Sequence, residues 1–416
     1  DGEPISLYAA LNEHDEARYV VGSIEDALRK DGLRRSEIAI LYRSNAQSRV
    51  LEEALLREKI PYRIYGGQRF FERAEIKNAL AYLRLLDGRG NDAALERVVN
   101  VPARGIGEKT VEAIREYARG HEVSMWEAVR LMLAGKALPG RASGALAGFV
   151  ELIDNLAAKV LEMPLHLMTQ TVIEQSGLIA YPQAEKGEKA QARIENLEEL
   201  VSAARAFDND EDDEDDELTP LQAFLSHASL EAGDTQAAEN EDSVQLMTLH
   251  SAKGLEFPQV FLVGMEEGLF PHKMSLEEPG RLEEERRLAY VGITRAMHKL
   301  VITYAETRRL YGSETYNKVS RFVREIPPQL IQEVRLSGSV SRPFATPGRG
   351  TAGGMFAGSA VPDTAFSLGQ RVQHALFGEG TILNFEGSGA QARVQVNFEN
   401  EGSKWLMLSY AKLQAL

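Results

Sequence analysis

Cysteine is absent from all 416 residues. That excludes disulfides, thiolate-ligated zinc, iron–sulfur clusters and a thiol nucleophile. No run of about 18 apolar residues occurs, so no membrane-spanning helix is expected. The opening Asp1-Gly2-Glu3-Pro4 has neither the basic start nor the apolar centre of a signal peptide. These absences fit a cytoplasmic protein. No metal site is assigned.

Basic charge is also in deficit. The formal net charge is −15, the wrong sign for a nucleic-acid binder judged on total charge. The deficit is local, however. Residues 208–217 read DNDEDDEDDE, with nine acids and no base. Such a block repels itself and is expected as a solvated loop. The remainder is only mildly acidic and leaves room for basic surfaces.

The length implies roughly two to four domains. Strand and helix signals alternate over 1–67: strands at 5–8, 38–42 and 61–65, helices at 15–30 and 48–58. This β-α-β rhythm predicts a sheet covered by helices. Residues 68–240 carry helical periodicity with almost no strand signal, notably at 74–86, 111–118, 142–160, 165–175 and 192–207. The strand rhythm returns over 241–335, with strands at 244–249, 260–265 and 299–304 and a helix at 281–296. The simplest reading is one α/β domain built from both flanks, interrupted by an all-helical insertion domain. Residues 336–365, rich in Gly, Ser, Pro and Arg, read as a flexible linker. Residues 366–416 read as a small C-terminal β-barrel with Gly-containing turns.

Two stretches carry most of the chemistry. Residues 244–268 are VQLMTLHSAKGLEFPQVFLVGMEEG. His250, Lys253 and Glu256 follow a strand, and polar groups at strand ends lie where open α/β sheets bind ligands. The competing reading is a turn shaped by Gly254 with solvated charges around it. Residues 282–305 are LEEERRLAYVGITRAMHKLVITYA. Glu283 and Arg287 are spaced to pair on a helix, and Arg287, Val291 and Arg295 share a face. Gly292, Ile293 and Thr294 are mediocre helix formers placed just before Arg295. Arg295 reads either as part of an ordinary charged helix or as a guanidinium presented to a phosphate.

Together these stretches resemble the last two motor motifs of superfamily 1 DNA helicases of the UvrD/PcrA branch. The resemblance extends to LYRSNAQSRVLEEAL at 41–55, YGGQRFFERAEIKNAL at 65–80, NVPARGIGEKT at 100–110 and RIENLEELV at 193–201. It implies that the α/β part is a RecA-like domain of P-loop NTPase fold, the second motor domain. By resemblance, Arg295 is the catalytic arginine finger and Glu256 contacts the nucleotide ribose. His250 and its loop, with Lys253, touch single-stranded DNA. The implied cofactors are ATP and Mg2+, held mainly by a partner domain. No G-x-x-x-x-G-K-[ST] phosphate loop occurs in these residues, nor an Asp-Glu pair capping an apolar strand for magnesium. The partner domain, with the family's adenine-contacting motif, is expected upstream of residue 1.

Further contacts are read with alternatives beside them. Arg43, Asn45 and Arg49 face DNA or serve the fold. Arg104, Gly105, Gly107, Lys109 and Thr110 resemble a helix-hairpin-helix element, whose glycines and helix N-terminus let backbone approach a duplex phosphate; an ordinary tight turn is the alternative. Phe70, Phe71 and Arg73 either support DNA or join the core. Residues 371–380 and 404–408 resemble the family's Tudor-like (SH3-like) domain. This implies RNA polymerase as a partner, with Arg393, Lys404 and Trp405 as contacts or Trp405 as core. The expected function is the C-terminal part of a 3′-to-5′ helicase acting in repair at single-stranded DNA and the duplex junction, with repair proteins as further partners. It would be inactive as an ATPase by itself. The alternative is a stand-alone non-catalytic module that binds DNA and RNA polymerase.

Overall fold

A computed structural model of the chain describes residues 3–185, 187–209, 218–233, 237, 241–277, 280–310, 313–334, 370–374, 377–386, 393–398, 402–407 and 413–415. The expected linker and nearly all of the acidic run lie outside them.

The first flank forms β1 (Ile5–Ala10), α1 (Glu13–Lys30), β2 (Ile38–Tyr42), α2 (Ser48–Arg57) and β3 (Tyr62–Ile64). Among the described residues nine helices follow: α3 (Ala74–Asp87), α4 (Asp92–Val98), α5 (Glu108–His121), α6 (Met125–Ala134), α7 (Gly140–Val160), α8 (Leu165–Ser176), α9 (Ala180–Glu185), α10 (Glu188–Asn209) and α11 (Pro220–Gly233). The second flank holds β4 (Val244–Thr248), β5 (Phe257–Leu262), α12 (Lys273–Glu277), α13 (Arg281–Ile293), β6 (Ala296–Ala305), β7 (Thr307–Leu310), β8 (Ser313–Tyr316), α14 (Arg321–Arg324) and β9 (Ile331–Val334).

Seven strands make one sheet in the order β3-β4-β2-β5-β6-β1-β9. Every pairing in it is parallel. The two flanks interleave: β4 lies between β3 and β2, and β1 lies between β6 and β9. Neither flank can complete the sheet alone. All five residues of β2 are buried, as expected of a central strand covered on both faces. Its side chains alternate between two cores. Ile38, Ile40 and Tyr42 join Val20, Val21 and Ile24 of α1 with Val50 and Leu51 of α2. Ala39 and Leu41 join Leu288 and Ala289 of α13 with Phe322 and Val323 of α14.

The helices between β3 and β4 enclose a separate core, in which Ile76, Leu80 and Leu83 of α3 meet Phe149, Ile153, Val172, Leu200 and Phe224. Phe70 and Phe71 belong to that core, which decides between the two readings given for them. Helix α10 joins this region to the sheet domain. Glu199 accepts from Arg49 Nε at 2.6 Å, and Asn196 Oδ1 accepts from Arg73 Nη1 at 2.8 Å. Glu195 pairs with Ser44 Oγ and lies 3.1 Å from His272 Nε2. Arg49 is therefore buried in ion pairs rather than facing DNA.

One turn further along α10, burial and the neighbouring Glu195 charge push the Glu198 carboxyl up to about 7. A raised folded pKa means that the folded chain holds a proton which the unfolded chain has released. Stability is therefore lost as pH rises from near 4.5, the ordinary value, through about 7. Glu198→Gln is expected to melt at a higher temperature than the parent at pH 8. The gap should shrink toward pH 5, as followed by circular dichroism.

The C-terminal strands β10 (Arg371–His374), β11 (Gly378–Glu386), β12 (Arg393–Phe398), β13 (Gly402–Met407) and β14 (Gln414–Ala415) form an antiparallel sheet in the order β13-β12-β11-β10-β14. Val372, Ile382, Val394, Val396 and Phe398 are its core. Lys404 stands opposite Val396 and Trp405 opposite Gln395 in the strand register. The side chains of Arg393, Lys404 and Trp405 lie outside the described residues.

Candidate functional site

Because the sheet is parallel, each strand contributes its start to one edge and its end to the other. His250 follows the end of β4, and Arg43 follows the end of β2; both stand at the C-terminal edge. Glu256 immediately precedes β5, and Arg295 immediately precedes β6; Phe257 and Ala296 are register partners. These two therefore stand at the N-terminal edge. The expectation that His250, Lys253 and Glu256 share a strand end is corrected for Glu256. The segment 249–256 crosses the sheet, a span of about 16 Å for a five-residue strand. Helix α13 makes the same crossing, from Glu285 at the C-terminal edge to Arg295 just past its end.

At the N-terminal edge the backbone brings Glu256 and Arg295 together. The amide of Phe257 donates to the Arg295 carbonyl at 2.9 Å. The guanidinium returns the contact: Nη1 donates to the Leu255 carbonyl at 2.7 Å, Nε to the Val291 carbonyl at 2.9 Å and Nη2 to Thr294 Oγ1 at 3.1 Å. These acceptors are neutral, and no carboxylate among the described residues pairs with Arg295. Glu256 is exposed beside it.

Two of the three residues singled out before Arg295, Gly292 and Thr294, have a physical account. A side chain at Gly292 would begin 2.5 Å from Leu249 Cδ2, so glycine lets α13 settle onto the crossing segment. The Thr294 hydroxyl donates to the carbonyls of Tyr290 and Val291, both at 3.0 Å, a back-bond that competes with helix continuation. The helix accordingly stops at Ile293 rather than 296, and Arg295 projects from the bend. The expected Glu283–Arg287 pair does not form. Arg286 takes Glu283, and Arg287 takes Glu284 at 2.7 Å, both three residues apart.

At the C-terminal edge His250 reaches solvent. Partial burial and the Arg43 charge hold its imidazole below the ordinary histidine range. The ring is thus biased toward the neutral form, which suits stacking and hydrogen bonding more than charge pairing. Lys253 and Gly254 are exposed midway along the crossing segment. Gly254 has φ +88°, a left-handed conformation that favours glycine. Arg43 is corrected. Its Nη2 donates to Glu285 Oε1 at 2.7 Å and its Nε lies 3.0 Å from both carboxylate oxygens. Against the cost of burial, the Arg43 hydrogen bonds hold Glu285 below the usual carboxylate range. Arg43 is a strap between β2 and α13, not a free phosphate ligand. Asn45 is half-buried, and its carbonyl accepts from Arg73 at 3.0 Å. Arg73 also donates to Ser48 Oγ at 2.6 Å, so it serves the fold.

The turn at 100–110 divides in the same way. Arg104 is corrected: its guanidinium donates to the carbonyls of Val98, Pro102 and Ser176 at 3.2, 3.0 and 2.8 Å, packed over the rings of Tyr82 and Phe149. Asn100 Oδ1 accepts from the amides of Arg104 and Ile106 at 2.7 and 3.2 Å. Sequence reasoning missed Asn100, although a short amide side chain just before a Gly-rich turn is a recognised turn-former. Gly105 (φ +81°), Gly107 and Lys109 are exposed, and Thr110 is half-buried in the first turn of α5.

Residues 1–129 and 146–307 match the UvrD-like helicase C-terminal domain. The chain belongs to that family. Residues 368–414 match the PcrA/UvrD tudor domain. The UvrD-like chain is 60% identical over 416 residues to DNA helicase II of Salmonella typhimurium and of Escherichia coli K12, covering 100% of the chain and 56% of each relative. It is 38% identical over 438 residues to the ATP-dependent DNA helicase PcrA of Bacillus subtilis, covering 100% of the chain and 57% of that relative. The UvrD-like chain thus spans about half the length of the curated relatives it matches. No helix among the described residues is long and apolar enough to cross a membrane.

Proposed function

We propose that this chain is the C-terminal part of an ATP-dependent 3′-to-5′ DNA helicase of the repair type, supplying the arginine finger and DNA contacts. The observation that carries the reading is the placement of Glu256 beside Arg295 at one sheet edge. It is joined through segment 249–256 to His250 at the opposite edge. A carboxylate suits ribose hydroxyls, and a guanidinium fork with only neutral partners suits phosphate oxygens. The chemistry of these two residues therefore fits the sugar and γ-phosphate ends of ATP. ATP with Mg2+, held mainly by a phosphate-loop domain, would supply the energy of stepping.

The part of this chain is to bind and to transmit. His250 and Asn45 contact the single strand at the C-terminal edge, with Lys253 on the adjoining segment. Segment 249–256 and α13 both run from there to the nucleotide edge, so strand occupancy and Arg295 placement are mechanically linked. Gly105, Gly107, Lys109 and Thr110 meet duplex phosphates at the junction without reading bases. The 1–67 and 241–335 segments act as the second motor domain, 68–240 as the insertion and 366–416 as the Tudor-like domain. The last docks RNA polymerase through Arg393, Lys404 and Trp405.

The pure 416-residue chain is expected to bind DNA weakly and to show no DNA-stimulated ATP hydrolysis. Adding a phosphate-loop domain upstream in the same chain should confer it. Robust turnover by the chain alone would overturn the half-motor reading. The same outcome would equally exclude the alternative, a stand-alone module binding DNA and RNA polymerase.

A further inference from the structure

Helix α11 carries His227 and Glu231 four residues apart, a spacing that places both on one face. His227 Nε2 lies 3.4 Å from Glu231 Oε1. Glu53, on α2 of the sheet domain, faces the pair from a position 174 residues earlier. One ligand atom from each of the three residues lies within 4.8 Å of the other two. We propose that Glu53, His227 and Glu231 form a site for a zinc-class divalent cation, which clamps the helical region onto the parallel-sheet domain.

Two features support the site. The first is the donor set. One imidazole and two carboxylates neutralise a divalent charge and leave a fourth tetrahedral position for water. The imidazole favours zinc, cobalt or nickel over magnesium and calcium. The second is orientation of the ligands. The His227 ring is set between Phe71, edge-on at 6.2 Å between centroids, and Phe207 at 5.6 Å. Its side chain remains 41% exposed, which gives an ion a path in. Glu53 is held by Arg49 Nη1 at 2.5 Å, and Arg49 is also engaged by Glu199 at 2.6 Å. These contacts hold the Glu53 carboxylate in one orientation.

The ligands come from two separately built cores, so binding would stabilise their junction rather than either core alone. The test is a titration of the full chain with Co2+, read by its visible d–d absorption and displaced by Zn2+. Thermal melts with and without Zn2+ run alongside. A single saturable site is expected, with Zn2+ raising the melting temperature. His227→Gln and Glu231→Gln should each weaken binding by more than about tenfold, since even an outer-shell partner contributes that much. Both variants should keep the parent's far-UV circular dichroism without metal. Glu53→Gln, on the other domain, gives an independent arm should an α11 variant fold poorly. A metal response unchanged in these variants, or no saturable binding at all, would overturn the site.

Discussion

Arg295→Ala, in a chain that also carries a phosphate-loop domain, is expected to lower ATP turnover by about 10³- to 10⁵-fold, the range found for arginine fingers. Nucleotide affinity should hardly change. The reasoning begins with the guanidinium's partners. Two backbone carbonyls and one hydroxyl hold it, and none carries a charge that a phosphate would have to displace. A group of this kind interacts most strongly where negative charge develops, in the transition state rather than the ground state. Its removal should therefore appear in kcat and leave the binding constant nearly intact. Arg295→Lys should not restore turnover, because an ammonium lacks the planar fork that also spans Leu255 and Val291. Single-turnover hydrolysis and equilibrium nucleotide binding, measured on the same preparation, separate the two effects. A loss of affinity as large as the loss of rate would sink the finger role.

The largest stability effect is expected at a position that sequence reasoning never singled out. Arg308 on β7 is buried between Glu16 of α1 and Glu266, which follows β5. Glu266 also accepts from the Ala305 amide at 2.7 Å and from Asn317 Nδ2 at 2.9 Å. Glu16 accepts from Thr303 Oγ1 at 2.6 Å and from the Gly264 amide at 2.9 Å. All three charges sit away from water, with Glu266 at 0% and Arg308 at 6% exposure. Breaking such a group by removing one member leaves the others uncompensated, which costs about 3–5 kcal/mol. Arg308→Ala should lose that much by urea unfolding. Its deficit should narrow as pH falls. The orphaned carboxylates would take up protons in the folded chain before the unfolded chain does, so acid favours the folded variant. A deficit that is small and independent of pH would show that the trio contributes little.

Much of the fold was legible in the sequence. The IAILY strand at 38–42 was placed to the residue, because five consecutive apolar residues in a parallel sheet are buried on both faces. The helices read at 74–86, 142–160 and 165–175 end within two residues of α3, α7 and α8, since 3.6-residue periodicity survives any tertiary arrangement, whereas α4, α6 and α11 were not singled out. Arginine roles were not legible in the same way. Arg43, Arg73, Arg104 and Arg295 look alike along the chain. All four are tied into the fold, by acceptors 242, 28, 72 and 40 residues away. Only the folded chain shows which of them stands at a sheet edge beside Glu256.

The sequence by itself determined the family, the alternation of strand and helix in two flanks, and the helical character between them. Each of these rests on local periodicity or on ordered motifs. Tertiary structure alone decided that the flanks interleave strand by strand, because pairing order depends on contacts between segments some 200 residues apart. It alone separated His250 from Glu256 across the width of the sheet, since strand direction assigns each loop to an edge. And it alone brought Glu53 to His227 and Glu231, because convergence of side chains from two cores leaves no spacing signal in a one-dimensional chain.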